Sequence, residues 1–388
     1  MPSPVKRCDI FCHVIDNFGD VGVCWRLAHQ LAREHGLAVR LWVDRLETLA
    51  AICPAIDQRL PVQETDGVEV RHWRADFPQL VPGDLVIEGF ACRVPDAFVA
   101  AMAARDRPPV WINLDYLSAE DWVEDCHALP SPHPSLPLVK YFFFPGFTES
   151  TGGLLRERDL EQRRLAYLAS HAQQVDFWRW LGGPPRADAL IVSLFAYPNT
   201  ALADLLADWV RGSSPVCCLA PQSQTLPSIE GFLGRALPAG EVGRRGQLEI
   251  RTLPFMAQAD YDKLLWSCDL NFVRGEDSFV RAQWAAKPMV WHIYPQDETA
   301  HLPKLHAFLD RYCGGLGESL PESAAAPLRR LFTAWNGDNE SGKLSAGQWA
   351  EFAAALPELR RHALNWQNNL SKQQDLCTKL VSFCCSKL

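Results

Sequence analysis

Two short polar segments hold the residues whose types and spacing suit chemistry. The first is Asp16-Asn17-Phe18-Gly19-Asp20-Val21-Gly22, in which two carboxylates stand four positions apart around a glycine. Such a segment reads as a place that presents carboxylates. The glycines follow a G-x-x-G order, not G-x-G-x-x-G, and a carboxylate at Asp20 would repel a pyrophosphate approaching that turn. The plainer alternative is that Asp16 and Asp20 only cap the helix that follows.

The second segment is Arg274-Gly275-Glu276-Asp277-Ser278-Phe279-Val280-Arg281-Ala282. Gly275 permits a tight turn, and Asp277 or Ser278 can cap a helix beginning at Phe279. Exposed N–H groups and the helix dipole at such a start suit a diphosphate. Arg274 can add a forked donor, or pair with Glu276 instead. Glu276 repels phosphate but can accept hydrogen bonds from sugar hydroxyls. An ordinary capped helix remains the alternative here too. Phe195, Tyr197, Phe255 (in Leu253-Pro254-Phe255-Met256-Ala257-Gln258) and Tyr294 stand at strand ends, where each can stack on a nucleobase or fill core. His13 and His292 lie in apolar strands and read as core histidines. No P-loop, H-E-x-x-H or G-x-S-x-G motif occurs.

These segments need strands and helices to hold them. Asp9–Ile15 reads as a strand, Asp16–Gly22 as a loop, and Val23–Glu34 as a helix with Val23, Leu27, Ala28 and Leu31 on one face. Strands are expected at Ala38–Val43, Asp84–Glu88 and Val110–Leu114, with helices near Arg45–Ile52 and Pro95–Ala104. The Pro-rich stretch Ser118–Phe147 is less regular. Arg156–Trp180 reads as one long charged helix, and Gly182-Gly183-Pro184-Pro185 interrupts the chain. Strands at Leu190–Phe195, Pro215–Leu219, Leu248–Arg251, Leu270–Val273 and Met289–Ile293 then alternate with helices at Thr200–Val210 and Ser278–Ala286. From about Ala324 the tail is helical. Alternation of this kind implies parallel sheets with crossover helices, an α/β class with two Rossmann-like halves facing a cleft. The expected domains are residues 1–182 and 183–388, the helical tail belonging to the second and able to cross back. In open parallel sheets ligands gather outside the carboxyl ends of the strands, where both polar segments fall.

Composition narrows the function classes. The 388 residues carry 38 basic and 46 acidic side chains, a net charge of −8, with 48% hydrophobic and 22% charged residues. This is a globular composition and a poor one for non-specific nucleic-acid binding. The thirteen cysteines include no Cys-x-x-Cys pair and no His at zinc-like spacing, so free thiols in a reducing cytoplasm are expected. No apolar run reaches the length of a membrane span. The final Ser386-Lys387-Leu388 matches a peroxisomal address and is read as coincidence.

The string from Asp9 to Ala28, DIFCHVIDNFGDVGVCWRLA, closely resembles the opening of the bacterial protein-arginine rhamnosyltransferases that modify translation elongation factor P. Asn271–Ala285, NFVRGEDSFVRAQWA, resembles their donor-site signature, and Pro288–Gln296 continues the match. The resemblance covers nearly the whole chain. It implies a GT-B glycosyltransferase that moves rhamnose from dTDP-β-L-rhamnose to one arginine of elongation factor P, inverting the anomeric centre. It implies Asp20 as general base, Asp16 as its essential neighbour, and a catalytic role for Glu276. Asp277 and Ser278 would serve the sugar and diphosphate. Phe195, Tyr197, Phe255, Gln258 and Tyr294 would hold the rest of the nucleotide sugar, with Arg274, Gly275 and the loop residues Asn17, Phe18 and Gly19 also counted as donor contacts. No metal, cofactor, nucleic acid or membrane is expected to take part. A transferase with another acceptor, a nucleotide-dependent oxidoreductase and a non-catalytic binding module remain as alternatives.

One chemical difficulty stands. A guanidinium has a pKa above about 12, so an Asp cannot deprotonate it outright. Two carboxylates can instead clamp its N–H groups and orient one nitrogen, the proton leaving late as bond formation acidifies it.

Overall fold

The computed structural model describes residues 5–339 and 341–388. They form two compact units: the chain up to Arg158 together with Lys372–Leu388, and Asp159–Ser371. This division differs from the sequence-based boundary at residue 182. Gly182 and Gly183 do break the chain, both at positive φ, but they lie inside the second unit. The expected single helix over Arg156–Trp180 is two helices, Leu160–Ala169 and His171–Trp180. They are parted at Ser170, whose extended backbone breaks the first and whose Oγ accepts the N–H of Gln173 to start the second.

The first unit is built on one sheet whose strands are β1 (Arg7–Cys12), β2 (Ala38–Val43), β3 (Val62–Thr65), β4 (Val68–His72), β5 (Leu85–Gly89), β6 (Val110–Leu114), β7 (Pro130–Pro132) and β8 (Val139–Phe143). Their order is β3-β4-β2-β1-β5-β6-β8-β7. The six inner strands run parallel, and β3 and β7 are short antiparallel edges. Helices cover both faces, so β5 and β6 are buried along their whole length, as continuous apolar runs require. Asp9, in the middle of β1, is the exception in kind. Arg40 binds both its oxygens at 2.7 and 2.8 Å, and the Trp42 indole and the Gly83 N–H complete its shell. It is a structural carboxylate, satisfied on every side.

Sequence patterning overlooked the β3–β4 hairpin and the β7–β8 pair. Both lie in segments where half-exposed positions and prolines blur the alternation. The C-terminal helix Leu376–Lys387 packs on the helix Phe18–His35 of this unit, burying Leu376, Cys377, Leu380 and Cys384. Gln30 ties the two together, its Nε2 donating to Glu34, to the Arg156 carbonyl and to Oδ1 of Asp375, the residue that caps the last helix.

The second unit repeats the plan with β9 (Leu190–Leu194), β10 (Val216–Pro221), β11 (Val242–Arg245), β12 (Leu248–Leu253), β13 (Leu270–Arg274) and β14 (Met289–His292). The order is β11-β12-β10-β9-β13-β14, all parallel except the edge strand β11. The helices Glu322–Trp335 and Gln348–Leu370 continue this unit, as the helical tail anticipated. All thirteen cysteines are free, and burial pushes thiols such as Cys8 and Cys218 well up. Among the described residues no helix is long and apolar enough to cross a membrane.

Candidate active site

Strand order selects one point in each sheet. In the first unit the chain leaves β1 toward β2 on one side and later returns to β5 on the other, so the switch in direction falls beside β1. In the second unit the same switch falls between β9 and β13. The carboxyl ends of strands at such points leave an open crevice between diverging connections, the place where ligands bind in open α/β sheets. The Asp16–Gly22 segment follows β1, Phe195 and Tyr197 follow β9, and Gly275–Ser278 follow β13.

In the first unit the expected loop is largely helix. β1 ends at Cys12, because the Val14 N–H turns to Oδ1 of Asp44, and the helix begins at Phe18, five residues before the sequence-based start. Asn17 is its N-cap at φ 38°, in the left-handed region, a backbone cost of about 1–3 kcal/mol that surrounding contacts must hold. Gly19 donates its N–H to the Asp16 carbonyl at 2.6 Å. A Cβ there would stand 2.5 Å from Oδ2 of Asp16, so the carboxylate of Asp16 lies directly over the glycine. Asn17, Phe18 and Gly19 are half-buried, Asp16 and Asp20 buried.

Asp20, in the first turn, uses its oxygens unequally. Oδ2 accepts the N–H groups of Ile15 and Asp16, both at 2.8 Å, so the residue braces the loop that precedes its helix. Among the described residues Oδ1 meets only the hydroxyl of Tyr116, at 3.3 Å, longer than the usual O–H···O bond. Burial raises the Asp20 carboxyl above its ordinary range, and the two backbone bonds, Tyr116 and the charge of His13 act against that rise. Unlike Asp9, this buried carboxylate keeps an acceptor position for a further donor and is more basic than usual, both of which suit a proton acceptor. His13 is not a core histidine: it is half exposed, past the end of β1, with Nδ1 2.6 Å from Asp44. Tyr116 did not emerge from the sequence. Its signal was its place, just beyond the carboxyl end of β6.

In the second unit two clusters gather the remaining candidates. Arg274 is buried, with its guanidinium carbon 4.5 Å from the ring centres of both Phe195 and Tyr197. Tyr197 meets His292 edge-on at 5.3 Å and Tyr294 at 5.6 Å, and Tyr294 keeps 40% of its surface exposed. Burial, with Arg274 and His301 nearby, lowers the pKa of His292 to about 3, so it is a neutral core histidine as expected. Arg274 is thereby a stacked cation beside the aromatic residues.

The second cluster is the turn itself. Gly275 sits at φ 57°, its N–H bonded to the His292 carbonyl and its own carbonyl accepting the Trp291 indole at 2.7 Å. The helix runs from Asp277 to Trp284, starting one residue before the expected Ser278–Ala286 and two before a start at Phe279, with half-buried Glu276 as N-cap residue. Neither Asp277 nor Ser278 caps it. Ser278 Oγ accepts the Arg274 N–H at 3.0 Å and donates to the Arg274 carbonyl, closing the turn. Asp277 Oδ2 accepts from Gln258 Nε2 at 3.1 Å, which joins Gln258 to the same turn. Phe255, three positions before Gln258, is half-buried in the loop after β12. The helix is anchored by Arg281, which forms a fork to both oxygens of Asp262 at 2.9 and 2.7 Å, each side chain 1% exposed. The Glu276 side chain does not cap the first turn, whose N–H groups and dipole favour a phosphate.

Comparison with known proteins bears on what these two sites serve. The family model for the elongation factor P (EF-P) rhamnosyltransferase EarP matches residues 8–385. The protein-arginine rhamnosyltransferase of Pseudomonas putida is 50% identical over 377 residues, covering 97% of each chain. That of Neisseria meningitidis serogroup B is 39% identical over 395 residues, covering 99% of this chain and 98% of its own. A solved structure reported as "Structural basis for EarP-mediated arginine glycosylation of translation elongation factor EF-P" is 37% identical. It aligns with a TM-score of 0.69 over 98% of this chain and 99% of that one. With its paired Rossmann-like units and a match over nearly its whole length, the chain belongs to the EarP family of protein-arginine rhamnosyltransferases, glycosyltransferases of the GT-B fold.

Proposed function

We propose that the protein transfers rhamnose from dTDP-β-L-rhamnose to an arginine side chain of EF-P in the cytoplasm, with inversion at the anomeric carbon and no metal. The reading is carried by Asp20, a buried carboxylate with one oxygen fixed by backbone and the other still able to accept an N–H. Asp16 and Asp20 hold different N–H groups of the acceptor guanidinium and orient one nitrogen toward the anomeric carbon. The C–O bond to the diphosphate lengthens and positive charge develops on the sugar, which the carboxylates favour. As the new C–N bond forms, the attacking nitrogen acidifies and its proton passes to Oδ1 of Asp20. The diphosphate keeps the electron pair of the broken bond.

On the donor side, the N–H groups at the start of Asp277–Trp284 receive the diphosphate. Asp277 and Ser278 order that turn, and Glu276 accepts from the rhamnose hydroxyls. Phe195, Tyr197, Arg274, Tyr294, Phe255 and Gln258 shape the nucleotide side. Asn17, Phe18 and Gly19 contact the sugar from the acidic segment. Support comes from the family match, from the resemblance of the two polar segments and from their positions at the two strand-order switches.

The test is incubation of the purified protein with EF-P and either dTDP-rhamnose or UDP-glucose, read by intact mass and by fragmentation of the product. One deoxyhexose on a single arginine, from dTDP-rhamnose only, is expected. Transfer from UDP-glucose, a modified residue other than arginine, or no transfer to EF-P would overturn the assignment.

A further inference from the structure

The hydroxyl that reaches Oδ1 of Asp20 belongs to a residue held with unusual care. Tyr116 follows β6, and its N–H donates to Oδ1 of its neighbour Asp115 at 2.8 Å. Asp115 Oδ2 accepts from Asn113 Nδ2 at 3.2 Å, and the Asp115 N–H donates to the Phe143 carbonyl on β8. Asn113 is buried, and its Oδ1 accepts the Ala91 N–H at 3.1 Å. A line of hydrogen bonds thus runs along the carboxyl ends of β5, β6 and β8 and ends at the Tyr116 backbone, fixing the residue that carries the phenol. The ring itself stacks on Phe90, with centroids 4.4 Å apart and planes 18° from parallel. Phe90 and Ala91 both adopt positive φ, 56° and 55°, and Phe90 is pinned in that state by its N–H to the Leu114 carbonyl at 2.7 Å. Two adjacent non-glycine residues in the left-handed region are costly, and such strain gathers where a precise geometry is needed. Ring packing alone would be met equally well by phenylalanine. The hydroxyl is what reaches the carboxylate.

We propose that Tyr116 is a positioning residue for the transfer: its hydroxyl holds Oδ1 of Asp20 in the one orientation from which that oxygen meets the acceptor N–H. The inference rests on the reading of Asp20 as the proton acceptor and deepens it. Without the hydroxyl, Oδ2 still has its two backbone donors, but Oδ1 faces its buried surroundings with no donor until the acceptor arrives. The carboxylate is then less well stabilised than the carboxylic acid, so the pH at which Asp20 takes up a proton rises. The other groups facing Asp20 are the Ile15 and Asp16 backbone N–H groups, His13 beyond β1, and Cys12 on β1, which itself pairs with Cys24 of the helix Phe18–His35. They are common to wild type and variant, so a difference between the two isolates the phenol.

The experiment is Tyr116→Phe, which keeps the stack on Phe90, measured beside Asp20→Asn with EF-P and dTDP-rhamnose across pH. For Tyr116→Phe, kcat is expected to fall about tenfold, the worth of one hydrogen bond to a charged group, with KM for the donor changed by less than about twofold. The acid limb of its kcat profile should move up by about half a pH unit or more. Wild-type kcat with an unmoved acid limb overturns the proposal. So does a fall in kcat with the limb unmoved, which is what a purely structural role would give. If Asp20→Asn itself turns over like wild type, the reading of Asp20 fails and this inference falls with it. If Asp20→Asn is inactive while Tyr116→Phe behaves as wild type, only the inference on Tyr116 falls.

Discussion

In the proposed reaction the Asp20 carboxyl serves structure and chemistry with different oxygens, and the two demands pull on its protonation in opposite directions. Burial raises its pKa in the folded protein. A group raised in this way adds stability below its unfolded pKa, and that contribution is lost as pH rises through the folded value. At neutral pH the ionised carboxylate therefore works against the fold. Asp20→Asn is expected to unfold at no lower a temperature than wild type at pH 7.5. On acidification through the ordinary Asp range its melting temperature should fall relative to wild type, as thermal scans across pH would read. A variant that melts well below wild type at pH 7.5 would mean that the carboxylate is chiefly a brace for the loop before its helix. Asp16 and Asp20 stood out as candidates from their spacing and from the family string, because both live in one short segment. Tyr116 was not, because it reaches Asp20 across 96 residues of sequence through a contact that only the pairing of β5 with β1 and β6 creates.

The proposed donor turn depends on two elements meeting at one angle. Gly275 turns the chain at φ 57° between β13 and the helix Asp277–Trp284, while its carbonyl anchors the Trp291 indole. Trp291 in turn stacks on Phe279, with ring centroids 3.9 Å apart. Gly275→Ala places a Cβ where the left-handed backbone disfavours it, at about 1–2 kcal/mol. If the turn relaxes to relieve that strain, the helix N–H groups shift. Donor affinity by calorimetry should then weaken about tenfold, since a 1.4 kcal/mol loss is one decade, with EF-P binding unchanged. Unaltered donor affinity would remove the turn from the donor site. The strands flanking this turn were readable as apolar runs, and Ala38–Val43 and Val110–Leu114 match the sequence-based bounds to the residue. Helix starts were read late, at Val23 and Phe279, because glycines and acids in a first turn look like loop. Here the acids sit in the first turn, where the dipole favours them.

The chain as a whole crosses between its two units twice, near residue 158 and near residue 371, and ends on the unit where it began. The α/β class, both sheets and the helical tail followed from periodicity. The crossing point did not, because the Gly-Pro-rich interruption after Leu181 was the stronger local signal, although it lies within the second unit. Nor could composition assign the last helix to the first unit, since that depends on Gln30 meeting Asp375 across 345 residues. Gln30→Ala removes three hydrogen bonds at a buried site, and amide exchange should quicken in Leu376–Lys387 and Phe18–His35 while Asp277–Trp284 is unaffected. Equal exchange in wild type and variant would show that apolar packing alone holds the tail.

All of this turns on Oδ1 of Asp20 receiving the acceptor's proton, and the most direct measurement is the rate of rhamnose transfer to EF-P by Asp20→Asn at saturating donor, with donor affinity measured on the same sample. Loss of the proton acceptor predicts a fall in turnover of about 10²–10⁴-fold with donor affinity kept within about twofold. Turnover close to wild type, or a loss explained by weakened donor binding, would contradict the assignment.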